Sequence, residues 1–215
     1  MNLRAVIAFS VLAWPLAGAA AEQPATVSFK LDFPGANPSH YEIVVGTDGQ
    51  ASYVSNGKMT DDSEAPEAAP LAFTISDGLR GQIFALAKRA RYFTGKVDSG
   101  RKNLANTGAK TLAYKDQSRS SEATFNYSDV QPVAELTAIF QNLSTTLECG
   151  RRLTYFHRYE KLALEGELKR MEELQKENSL GEIQSIAPVL KAIAGDSTVM
   201  NLSRARALRL LAAAK

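Results

Sequence analysis

The chain has 215 residues, with 25 Lys and Arg against 23 Asp and Glu and a single cysteine. That length suits one domain with an extension, or two small domains. A charge so near balance lacks the basic excess of a dedicated nucleic-acid binder, and one cysteine excludes an internal disulfide framework.

Residues 1–4 carry one charge, on Arg4, and residues 5–17 are almost wholly apolar. Ala19 and Ala21 then stand in the −3 and −1 places before Glu22. This is the pattern of a secretory signal peptide over 1–21, which places the protein in the periplasm or outside the cell. The apolar run is shorter than the roughly 20 residues a membrane span needs. No stable membrane insertion is therefore expected after cleavage.

"ATVSFKLDF" alternates, with Val27, Phe29, Leu31 and Phe33 on one face, so it reads as a half-buried strand. "HYEIVVGTDGQASYVS" reads as a hairpin over 40–55, because Asp48-Gly49 supplies the positive-φ residue of a tight turn. The acidic stretch 56–70 shows no period. Its Asp61, Asp62, Glu64 and Glu67 lack the glycine and final glutamate of a calcium loop, and a solvated loop is expected. "LAFTIS" is a short strand. Ser76 caps a helix whose Leu79, Ile83, Leu86, Ala87 and Ala90 share one face. Two more strands, "AKTLAYKD" and "SEATFNYSD", flank a polar turn.

From Val130 on, the pattern is helical. Val133, Leu136, Phe140, Leu143 and Leu147 form a seam that blurs at Cys149-Gly150 and resumes through Leu153, Phe156, Leu162, Leu164, Leu168, Met171 and Leu174. The spacing suits one stuttered helix or two. Lys161/Glu165, Glu165/Lys169 and Glu172/Lys176 are i,i+4 pairs on its polar side. Two further helices are expected, one around Pro188 and one over 198–213. The fold class is α+β: an antiparallel sheet with helices on one face, then an all-helical extension. The expected boundaries are 22–148 for the α+β domain and 149–215 for the extension.

"TGKVDSGRKNLANTGAKTL", residues 94–112, invites a phosphate-loop reading. The spacing refuses it: Ala109 separates Gly108 from Lys110-Thr111, and the loop follows a helix and precedes a strand. A polar surface loop remains, with Lys96, Arg101, Lys102 and Asn103 as candidate ligand or partner contacts. "SNGK" at 55–58 matches the serine–lysine pair of penicillin-recognising enzymes, but Ser55 ends a strand and the companion motifs are absent. His157 and Glu160 share a helix face, yet one such pair gives too few ligands for a metal. No metal and no cofactor are expected. Arg204, Arg206 and Arg209 beside an apolar stripe suit either a membrane-surface helix or, as favoured here, a packed terminal helix.

"YEIVVGTDGQASY" followed by "LRGQIFALAKRARYF" resembles a group of uncharacterised exported bacterial proteins, over about 25–145. The resemblance implies no activity and no site residues. "APVLKAIAGDSTVMNLSRARALRLL" is similar to one helix pair of a HEAT-type repeat, with Leu190, Ile193, Asp196, Val199, Arg204, Ala207 and Leu210 at the matching places. One unit implies a helical hairpin rather than a solenoid.

The function expected is a non-enzymatic binding or interaction module of the cell envelope or extracellular space. A protein partner, or self-association through helices 130–175, is expected, and nucleic acid is not. The alternative is a hydrolase of envelope polymers using carboxylates from distant positions, since two suffice for acid–base work.

Overall fold

The computed structural model describes residues 24–60 and 70–213. The expected signal peptide and the acidic residues 61–67 lie outside the described residues.

The strands are β1 (Thr26–Asp32), β2 (His40–Gly46), β3 (Gln50–Ser55), β4 (Leu71–Thr74), β5 (Ala109–Lys115) and β6 (Ser120–Phe125). They form one antiparallel sheet in the order β4-β3-β2-β1-β5-β6. Alternation decides which face is buried. Val27, Phe29 and Leu31 pair across the sheet with Val45, Ile43 and Tyr41 on one side and with Tyr114, Leu112 and Lys110 on the other. These residues all point inward. The β2–β3 turn places Gly49 at φ +82°, as the Asp-Gly pair requires.

Helix α1 (Asp77–Arg89) starts where Ser76 Oγ accepts from the Leu79 amide at 3.3 Å. It buries Ile83, Leu86 and Ala87. Helix α2 (Gln131–Tyr159) crosses the inner face, where Phe140 stacks on Phe29 with ring centroids 5.4 Å apart. Its seam residues Val133, Leu136, Phe140, Leu143 and Leu147 are fully buried within the molecule.

The 130–175 segment is two helices. The backbone leaves the helical region at Glu160 (φ −142°, ψ 61°), and a short 3-10 turn, Lys161–Ala163, leads into α3 (Leu164–Lys176). That break resets the period, so Leu162 stands 79% exposed instead of extending the seam. A second 3-10 turn, Ile183–Ile186, precedes α4 (Ala187–Gly195), with Pro188 in its first turn, where no amide hydrogen is needed. Helix α5 (Asn201–Ala213) closes the chain.

The boundary expected at 148/149 falls inside α2, and the buried apolar residues of both parts form one contiguous core. At Gly150 the 3-10 turn before α4 packs closely on α2. A β-carbon there would lie 2.4 Å from Ile186 Cγ2, so the blur at Cys149-Gly150 marks a close approach, not a break. Leu190, Ile193, Val199, Ala207 and Leu210 are buried between α4 and their neighbours, and Arg204 Nε donates to the Ala194 carbonyl.

Charges foreseen as local helix pairs are spent between helices instead. Arg206 pairs with both Glu165 and Glu172, and Arg209 Nε reaches Glu172 at 2.8 Å. Lys161 pairs with Asp196 at 2.7 Å. The arginines of α5 are thus docked on α3 or on the end of α4. Among the described residues, no helix is long and apolar enough to cross a membrane.

Candidate functional site

The most closely knit polar group lies where the C-terminal end of β3 meets the middle of α2. Tyr53 and Ser55 are two residues apart on β3, so both face inward. Ser144, Glu148 and Arg151 are spaced by four and three on α2 and share the side that meets them. Glu148 is 3% exposed. Its Oε1 accepts from Tyr53 Oη at 2.8 Å, from Ser55 Oγ at 2.5 Å and from Arg151 Nη1 at 2.7 Å.

Ser55 Oγ in turn accepts from Arg151 Nη1 at 2.6 Å and from the Gly57 amide at 2.9 Å. Ser144 Oγ lies 3.0 Å from Tyr53 Oη. Burying a carboxylate is costly unless charge-assisted hydrogen bonds replace its water, and three donors converge to do so. Burial drives the Tyr53 phenol well above its ordinary range, with the charge of Glu148 adding to the effect, so Tyr53 keeps its proton to donate. Glu148 Oε2 has no hydrogen-bond partner among the described residues. It rests against Gly57, where a β-carbon would stand 2.4 Å away, so a larger residue there would have to displace the carboxylate.

A second buried carboxylate sits one turn further out. Glu167 of α3, 8% exposed, is reached by Arg152 at 2.9 Å and by Arg170 at 3.2 Å. Burial pushes its carboxyl up, but the two guanidiniums outweigh that and hold it below the usual carboxylate range. Cys149 Sγ lies 3.3 Å from Arg170 Nη2. Burial, aided by the charge of Glu167, raises the thiol to about 12, so Cys149 stays a protonated, unreactive side chain.

Two openings flank this layer. A polar recess of about 290 Å³ is lined by Asn37, Gln141, Ser144, Thr145, Glu148 and Arg152. On the other side, an apolar groove of about 610 Å³ runs between β4, the second half of α2 and the start of α4. Leu71, Tyr155, Tyr159, Pro188 and Val189 line it, with Arg151 and Arg158. Leu71 is 39% exposed and Tyr159 61%. Arg158 lies over the Tyr159 ring, 5.1 Å from its centroid, and forms no ion pair among the described residues.

The loop residues singled out from sequence lie elsewhere. Arg101 pairs with Asp129 at 2.7 Å and lies 5.8 Å from the centre of the Tyr127 ring. Lys96 is exposed, its ammonium beside Gly100. Lys102 and Asn103 are exposed as well, Asn103 in the left-handed region at φ 68°. None of the four lines the recess or the groove. The loop is held by Asp98, which accepts from the Gly100 and Asn126 amides.

Lys110, the lysine of the phosphate-like "GAKT", points into the protein. Its Nζ donates to the Thr107, Gly108 and Asn126 carbonyls and to Thr107 Oγ1, closing the loop onto β6. Burial lowers its pKa. His157 pairs with Asp196 at 3.0 Å, not with Glu160, because the helix has ended at Glu160. His40 reaches Asp32, its cross-strand partner, at 2.6 Å.

Sequence reasoning missed the Glu148 group because the strand partners of Glu148, Tyr53 and Ser55, lie 95 and 93 residues away on β3. One signal was present: a lone glutamate following Leu147 in an otherwise buried helix stretch. Scanned against protein-family models and against curated proteins, the chain matches none.

Proposed function

We propose that the protein is an exported binding module of the cell envelope or extracellular space, and that it holds a peptide or protein partner in the groove beside β4. The observation that carries this reading is the groove, an apolar trough walled by half-buried Tyr155 and exposed Tyr159, with an arginine that has no carboxylate partner among the described residues. Tyrosine and arginine are the side chains that most often dominate binding energy at interfaces. Behind it the wall is rigid: Arg151 is tied to Glu148, Ser55 and the Gly57 carbonyl.

The hydrolase alternative draws less support. Acid–base catalysis needs a carboxyl group free to exchange a proton with substrate, whereas Glu148 and Glu167 each hold arginine. Self-association through helices 130–175 also draws less support, since the seam residues Val133, Leu136, Phe140, Leu143 and Leu147 are buried within the molecule.

Displayed random peptides selected on the mature chain are expected to include binders lost on Val189→Asp and retained on Glu122→Ala, on the opposite edge strand. Binders indifferent to Val189→Asp, with the variant shown to be folded, would remove the groove from consideration. Release of fragments from envelope polymers by the wild type but not by Glu148→Gln would put the hydrolase in its place. The exported product is expected to begin at Glu22 on N-terminal sequencing.

A further inference from the structure

We infer that the partner enters as an extended strand added to the outer edge of β4, with an apolar side chain entering the groove and a carboxylate meeting Arg158. This rests on the reading of the groove as a binding surface and names the class of ligand it takes.

The first argument is an unfinished row. Across the inner face, Leu112, Phe29, Ile43, Tyr53 and Leu71 stand opposite one another in successive strands. The first four are at most 1% exposed, and Leu71 is 39% exposed. The row stops because β4 is the last strand of the sheet among the described residues, not because the apolar surface beneath it stops. Tyr155, Tyr159 and Val189 continue that surface past Leu71. A residue opposite Leu71 on an added antiparallel strand would lie 4.5–5.5 Å away, roughly, on the same face. Its side chain would fill the trough.

The second argument is the contrast between the two edges. β6 exposes Ser120, Glu122 and Thr124, and Ser121 Oγ bonds back to the Tyr92 carbonyl. A charged, polar edge of that kind discourages strand addition. β4 exposes Leu71, Ala72 and Thr74 and carries no charge. Addition to a free edge draws affinity from main-chain hydrogen bonds and selectivity from a pocket for alternate side chains, and β4 presents both.

The third argument is charge. Arg158 is exposed and stands on an aromatic ring at the rim of the groove, without an ion pair among the described residues. Arg151, deeper in the wall, is already satisfied by Glu148. An acidic side chain on the incoming strand answers Arg158, and a basic one opposes it.

The probe is a short fluorescein-labelled peptide alternating valine with threonine and carrying one glutamate. It is made in two forms, N-methylated on one or the other set of alternate amides. One form is expected to bind like the parent and the other at least about tenfold more weakly, because only one edge of the peptide faces β4. Exchanging the glutamate for lysine is expected to weaken binding about fivefold, and Arg158→Glu to reverse that preference. Amide exchange at Leu71–Thr74 is expected to slow on binding.

Equal binding of both methylated forms overturns the inference. So does unchanged exchange at Leu71–Thr74, failure of the wild type to bind any alternating peptide, or a dimer of this chain joined through β4 in sedimentation. The two levels separate cleanly. Selected peptides that need Val189 but bind as helices defeat strand addition and leave the binding reading intact. Selected peptides indifferent to Val189→Asp defeat the binding reading itself.

Discussion

Glu148 and Glu167 are equally interior carboxylates held in opposite ways. Glu167 has arginines on both of its oxygens, Arg152 and Arg170 on Oε1 and Arg170 again on Oε2. Glu148 takes all its donors on one oxygen, two of them neutral hydroxyls from β3, and lays the other oxygen against a glycine. The first is a charge clasp between two helices and tolerates small shifts, because long guanidiniums can follow. The second is a register pin. Tyr53 and Ser55 are fixed by the strand, so sliding α2 along β3 would lose both bonds at once. The pin also sets the wall of the groove, since Arg151 is positioned by the same oxygen.

The largest effect is expected where the pin is pulled. Glu148→Ala leaves Arg151 without its counter-charge, Ser55 Oγ without its carboxylate acceptor, and Tyr53 Oη with only Ser144 Oγ beside it. Removing one partner of a buried pair costs about 3–5 kcal/mol, to be read from urea unfolding of the folded variant. A cost no larger than that of Glu167→Ala would erase the distinction drawn above. Glu167→Ala is expected to cost less, about 2–3 kcal/mol, because Arg170 is 46% exposed and can turn to solvent.

Acid tests the clasp at Glu167. The folded carboxyl of Glu167 is held below its unfolded value, so its contribution is present above the unfolded pKa, near 4.5, and is lost as pH falls through the folded one. The stability gap between wild type and Glu167→Gln is therefore widest near neutrality and closes below about pH 4. Melting temperatures of both proteins across that range are the check, and a gap independent of pH would show that the arginines do not set the value.

Much of the fold was legible in the sequence. Alternation from Val27 to Phe33 and the Asp-Gly turn are local, and so is the Ser76 cap; each acts within a few residues. The break at Glu160 was not legible. Leu162 matches the seam in spacing, but a period read along a chain assumes continuous dihedrals, and these fail at Glu160. Glu165 and Glu172 have lysines at i+4, yet arginines of α5 reach them, Arg206 on Glu165 and both Arg206 and Arg209 on Glu172. The same limit hid the candidate site. The loop at 94–107 looked functional because its glycines and lysines are adjacent in sequence, and Lys110 turned out to close that loop. The groove is assembled from residues 59 to 189, and no window of the chain contains it.

Gly57 tests whether the bare oxygen of Glu148 matters. Gly57→Ala places a carbon 2.4 Å from Oε2 and 2.8 Å from Cδ, too close for a side chain pinned at its other oxygen. A cost of about 1–3 kcal/mol is expected. In a Glu148→Ala background the same change should cost much less, because the two sites are in contact and couple. Equal costs in both backgrounds would place the strain in the backbone of Gly57 and not at the carboxylate.

The smallest effect should come from Tyr53→Phe, and its smallness carries information. The ring stays in the core row between Ile43 and Leu71, so no cavity forms. What is lost is one donor to Glu148 and the contact with Ser144 Oγ. Ser55 and Arg151 still hold Oε1, and Ser144 faces the polar recess, where its hydroxyl finds water. A loss of about 1 kcal/mol is expected. A loss approaching that of Glu148→Ala would mean that the phenol alone carries the register and that Ser55 and Arg151 follow it. A loss near 1 kcal/mol, with Arg151 still ordered, would mean that the carboxylate organises its donors, as three bonds converging on one oxygen imply.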